Sequence, residues 1–181
     1  MICFSRGEIG RMIANYDITN FVLEKIRPYI DIEQISVLKN TEDKIDIVKL
    51  NEKYQVGFEV HMGSETADYD LTVLYFSEHQ HFQSFDISEN EDTIEQAIEL
   101  LINLFTLPIQ HIEKYQGTKL LNEKYSFIKN GKEECFSNSS IFHLSYNPFA
   151  KKSYKTNTLK YDATLKTFLI NSPPKNIGVG D

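Results

Sequence analysis

Glu59, His61, Asp68 and Asp70 fall in two neighbouring runs where polar residues alternate with apolar ones, so three carboxylates and an imidazole could meet on one face of a hairpin. Oxygen-rich sets of this kind suit a hard divalent cation such as Mg²⁺ or Mn²⁺, and they equally suit the ammonium and guanidinium groups of a basic protein. The first chemistry would make a metal-dependent hydrolase of nuclease type. The sequence fits it poorly, because Glu59-Val60-His61 has His where restriction-type nucleases carry Lys and the order of elements differs. The second chemistry needs no further residue.

Other reactive side chains stand alone. His79-Gln80-His81 would present two imidazoles on one strand face, but no third ligand stands at local spacing. His111 and His143 are single histidines among apolar residues and read as core or boundary side chains. Cys3 and Cys135 have no Cys, His or Asp at metal-ligand spacing, so both read as isolated thiols rather than a disulfide or redox pair. Gly-x-Ser-x-Gly is absent, and neither Gly7-Glu8-Ile9-Gly10 nor Gly178-Val179-Gly180 completes a phosphate-binding loop. The sequence assigns no catalytic residue, no metal ligand set and no cofactor.

Bringing the four side chains together requires a particular register. Tyr54, Val56, Phe58, Val60 and Met62 form one apolar row, and Tyr69, Leu71, Val73 and Tyr75 form another. In an antiparallel pair a one-residue slip would set an apolar row beside a polar one, so opposed residue numbers must total an odd value. Totals of 129 or 131 place Phe58 across from Leu71 or Val73, with Glu59, His61, Asp68 and Asp70 on the other face. A third run, residues 81–87, alternates less cleanly and reads as an edge strand.

The remaining elements give an α+β order. Ser5-Arg6-Gly7-Glu8 has capping-box form and opens a helix over about residues 6–15, and a displaced stripe of Ile18, Phe21, Val22 and Ile26 continues this helical N-terminal cap to about Arg27. Residues 35–38 and 45–50 read as short strands. Ser88-Glu89-Asn90-Glu91 opens a long amphipathic helix over about residues 91–106, with Ile94, Ala97, Ile98, Leu101 and Phe105 packed on the sheet and Pro108 beyond its end. Asn130-Gly131 predicts a type I′ hairpin turn between residues 125–129 and 132–136. Residues 141–146, 153–161 and 164–170 also read as strands. We expect a single domain over residues 1–172, with an alternative sub-boundary at 116–118, and a loose tail over 173–181 after Pro173-Pro174.

Charge narrows the function class. The chain carries 19 Lys and Arg against 26 Asp and Glu, a formal −7, with −8 in residues 1–90 and +1 in residues 91–181. An acidic chain repels phosphate backbones, which argues against nucleic acid as a partner apart from the cluster Lys151, Lys152, Lys155, Lys160 and Lys166. Tyr146, Phe149 and Tyr154 beside those lysines would suit a protein contact if exposed. The first eight residues lack a basic start and apolar run, and no stretch approaches the roughly 18 apolar residues of a membrane span, so a soluble cytoplasmic protein is expected.

These features fit a non-catalytic binding module, an inhibitor or immunity-type protein that neutralises a basic enzyme or toxin through an acidic surface anchored by Glu59, His61, Asp68 and Asp70. The metal-dependent hydrolase and a small-ligand-binding protein are the alternatives.

Overall fold

The computed structural model describes residues 18–30, 35–40, 45–62, 69–84, 90–141 and 149–172. The chain divides into two compact units, Met1–Phe105 and Thr106–Asp181, each with its own five-stranded antiparallel sheet. With one helix in its N-terminal part and another packed on the sheet, the fold is α+β.

In the first unit, helix α1 (Ile18–Ile26) precedes strands β1 (Ser36–Asn40), β2 (Ile45–Asn51), β3 (Val56–Met62), β4 (Tyr69–Tyr75) and β5 (Glu78–Ser84), which pair in sequence order as a meander. Helix α2 (Asn90–Thr106) follows. Every opposed β3–β4 pair totals 131, so Phe58 faces Val73 and Val60 faces Leu71, the second of the two registers the alternation allows. The physical reason is visible in the burial: Val48, Phe58, Val60, Leu71 and Val73 are fully buried on one face. Val22 and Ile26 of α1 are fully buried, as are Ala97, Leu101 and Leu104 of α2. Thr19, also fully buried, donates its hydroxyl to Asp46 Oδ2 at 2.7 Å, which satisfies a carboxylate on that same apolar face.

The expected strand over residues 81–87 lies earlier. Phe76 and Ser77 both take positive φ, of 50° and 72°, and make a tight turn that starts β5 at Glu78. β5 is an edge strand, and it carries His79 and His81.

In the second unit β6 (Ile109–Gln116), β7 (Lys119–Lys129) and β8 (Lys132–Ser140) form a meander, and β9 (Lys152–Asp162) and β10 (Thr167–Asn171) add to the free edge of β6. Asn130 and Gly131 have φ of 53° and 75°, so the Asn-Gly turn between β7 and β8 is formed as expected. Strand β6 and the first half of β7 were not legible as strands. Gly117, with φ of 60°, is a tight turn within a continuous hairpin. The expected helix over residues 6–15, most of the expected strand 141–146 and the tail 173–181 lie outside the described residues.

Candidate functional site

The meander sheet of the first unit has one apolar face and one polar face. On the polar face the ladders align side chains in three rows running across the strands. Lys49, Gly57, Leu74 and His79 make the first row; Leu38, Ile47, Glu59, Thr72 and His81 the second; and Ile45, His61 and Asp70 belong to the third.

This register brings three of the four sequence-derived site residues together. His61 stands directly opposite Asp70, and its Nε2 is 3.4 Å from Glu59 Oε2. Asp68 lies outside the described residues. The ladder also adds residues that sequence spacing did not link to the set. His81 Nδ1 is 3.2 Å from Asp70 Oδ2 and 2.9 Å from Thr72 Oγ1, so Glu59 and Asp70, in adjacent rows, each have an imidazole beside them. His79 and His81 do share a face, with ring centroids 5.1 Å apart at 87°. Among the described residues, no group of three His, Cys, Asp or Glu converges closely enough to hold a metal ion.

The first row has a gap. A Cβ at Gly57 would overlap the carbonyl oxygen of Val48, where the β2–β3 ladder slips between Lys49 and Asn51. Without a side chain there, the polar face sinks into a groove of about 440 Å³ lined by Ile47, Lys49, Glu52, Gly57, Glu59 and Leu74. Lys49 Nζ lies 3.7 Å from Glu52 Oε1, whereas the ionic neighbour of Glu59 among the described residues is His61 alone.

A second cluster, in the second unit, was missed at the level of sequence. His111 stacks on Tyr125 with ring centroids 4.3 Å apart and planes within 3°, and its Nε2 lies 2.7 Å from Glu123 Oε1. Tyr125 donates its hydroxyl to the same oxygen at 2.7 Å. Directly across the ladder, Glu113 accepts from Tyr115 at 2.8 Å and meets Lys155 Nζ at 2.7 Å. Burial pushes the Glu113 carboxyl up, but the hydrogen bonds from Lys155 and Tyr115 and the nearby positive charge prevail and hold it below 4.5. The bond to Glu113 raises Lys155 above its ordinary value against desolvation, and raises Tyr115 as well. Each glutamate here thus has a cation-capable partner and a phenol, which makes a polar network across the half-buried middle of β6 and β7. His111 is a boundary histidine, as its lone position suggested.

Cys135 is exposed on β8, and Phe149 and Tyr154 are exposed at 94% and 66%, while His143 and Tyr146 lie outside the described residues. The charge division follows the two units more sharply than the halves of the chain. Residues 1–105 hold 8 Lys and Arg against 20 Asp and Glu, a formal −12, and residues 106–181 hold 11 against 6, a formal +5. No helix among the described residues is long and apolar enough to cross a membrane.

No family model matches the chain, and searches of curated proteins and of solved structures find no match.

Proposed function

We propose that this protein is a non-catalytic, cytoplasmic inhibitor of immunity type, which neutralises a basic enzyme or toxin by docking it on the polar face of the meander sheet. The observation that carries this reading is the placement of Glu59 and Asp70 in adjacent rows of one half-exposed sheet face, on a unit of formal charge −12. Carboxylates held at fixed strand positions lose little entropy when they meet a cation, and a strongly acidic unit speeds encounter with a basic partner. His61 and His81 each lie beside one of the two carboxylates, which stay partly exposed and so accessible to a partner's ammonium or guanidinium. Asp68 belongs to the same proposed surface by sequence alternation.

The test is co-purification of the tagged protein from its native host at low and high salt, run in parallel with a Glu59→Lys/Asp70→Lys variant and with a Lys152→Glu/Lys160→Glu variant of the second unit. The reading expects one basic protein that is retained at low salt, released at high salt, absent from the first variant and present with the second. Retention by all three chains, or loss from both variants alike, contradicts it.

A further inference from the structure

The groove at Gly57 gives the proposed docking face a specific ligand chemistry, and the inference drawn from it rests on that docking reading. Half-exposed Ile47 and Leu74 flank the missing side chain of Gly57, which leaves an apolar floor beside the carboxylate and imidazole groups of that face. At one end stands Glu59, whose carboxylate has no lysine or arginine beside it among the described residues. At the other end Glu52 is already engaged by Lys49. A slot with an aliphatic floor and, at its rim, a carboxylate whose ionic neighbour among the described residues is an imidazole rather than a lysine or arginine matches a side chain that is aliphatic along its stem and cationic at its tip.

We propose that this groove is the subsite for one lysine or arginine side chain of the partner, with the methylene stem lying over Gly57 between Ile47 and Leu74 and the cationic head paired to Glu59. The groove volume of about 440 Å³ falls in the range of small-ligand sites, which leaves space for a long unbranched side chain together with water. The backbone fixes the floor. Any residue other than glycine at position 57 collides with the Val48 carbonyl, so the slot is built into the β2–β3 slip rather than into a mobile side chain.

The probes are the N-acetyl amides of arginine, lysine and norleucine, titrated into the full isotope-labelled chain while backbone amide shifts are followed by NMR. The expected result is saturable shifts centred on Gly57, Glu59 and Leu74 with the two cationic probes, weakened about tenfold by Glu59→Gln and absent with norleucine. Equal shifts with norleucine, or no saturable shift with any probe, overturn the subsite. Glu59→Gln is a conservative exchange on a half-exposed position, and its own spectrum reports that it folds. Leu74→Trp, which fills the slot, separates this inference from the docking reading. If Asp70→Lys abolishes binding of the co-purified partner while Leu74→Trp leaves it unchanged, the acidic face stands and the subsite falls. If neither variant changes partner binding, both fall.

Discussion

Lys155 on β9 holds its ammonium 2.7 Å from Glu113 Oε2 on β6, and the two residues face each other across the ladder that joins β9 to the meander. The pair joins the central strand β6 to its neighbour β9, with Glu113 largely buried and Lys155 more than half exposed. It ties the non-sequential strand β9 to its neighbour by charge as well as by backbone hydrogen bonds.

That pairing has a pH signature. Glu113 titrates below 4.5 in the folded chain, so its contribution is present above that value and lost as pH falls through the lowered folded value. Lys155 and Tyr115 are raised, so their contributions are present below their ordinary values of 10.5 and 10.0 and are lost as pH rises past the folded ones. Lys155→Met is expected to cost about 1 kcal/mol or less at neutral pH, because the ammonium is solvent-screened. Urea midpoints of the variant and the parent should converge at the acid limb of the profile, and a gap that persists there would assign the effect to packing instead.

Gly57 cannot carry a side chain. Gly57→Ala should destabilise the chain by about 2 kcal/mol, because the added methyl overlaps backbone rather than a movable side chain. A lowered urea midpoint with unchanged slope checks this, and a neutral result would mean that the β2–β3 slip relaxes at no cost.

The buried polar pair beneath the sheet offers a cleaner measure of α1 docking. Thr19→Val keeps shape but removes the donor to Asp46 and should cost about 1 to 2 kcal/mol. Amide exchange should then accelerate through α1 before it does in β3 and β4.

The β7–β8 turn depends on glycine for a different reason. Gly131 has φ of 75° and open space around it, so Gly131→Ala meets no clash and is penalised by backbone conformation alone, at about 1 kcal/mol. Unfolding midpoints of this variant and of Gly57→Ala, read side by side, separate conformational strain from steric overlap.

How far the sequence carried depended on which residues alternated. In β3 and β4 the apolar row was complete, so the strands and the shared face of Glu59, His61 and Asp70 followed from periodicity, which left two registers open; the structure takes the one that totals 131. Helix α2 had a continuous stripe and was placed within one residue. β6 failed because the face that starts at Ile109 continues with His111, Glu113 and Tyr115, so three of its four residues carry polar groups and the strand has no apolar alternation to read. A usable signal was present: His111-x-Glu113-x-Tyr115 and Glu123-x-Tyr125 are both period-two patterns, with Gly117 between them. His81 joined the candidate site only through the β4–β5 ladder, because the turn at Phe76-Ser77 contains no glycine and gave no warning of a tight hairpin. The groove depends on a ladder slip, a feature that periodicity does not encode.

The central claim is that the polar face of the first sheet binds a basic protein. Its most direct test is the dissociation constant of the isolated partner for the parent chain and for Glu59→Lys/Asp70→Lys, measured at low salt. A loss of at least about tenfold is expected for the variant, together with a steep salt dependence in the parent that flattens in the variant. An unchanged affinity at low salt, in a variant whose unfolding midpoint matches the parent, would contradict it.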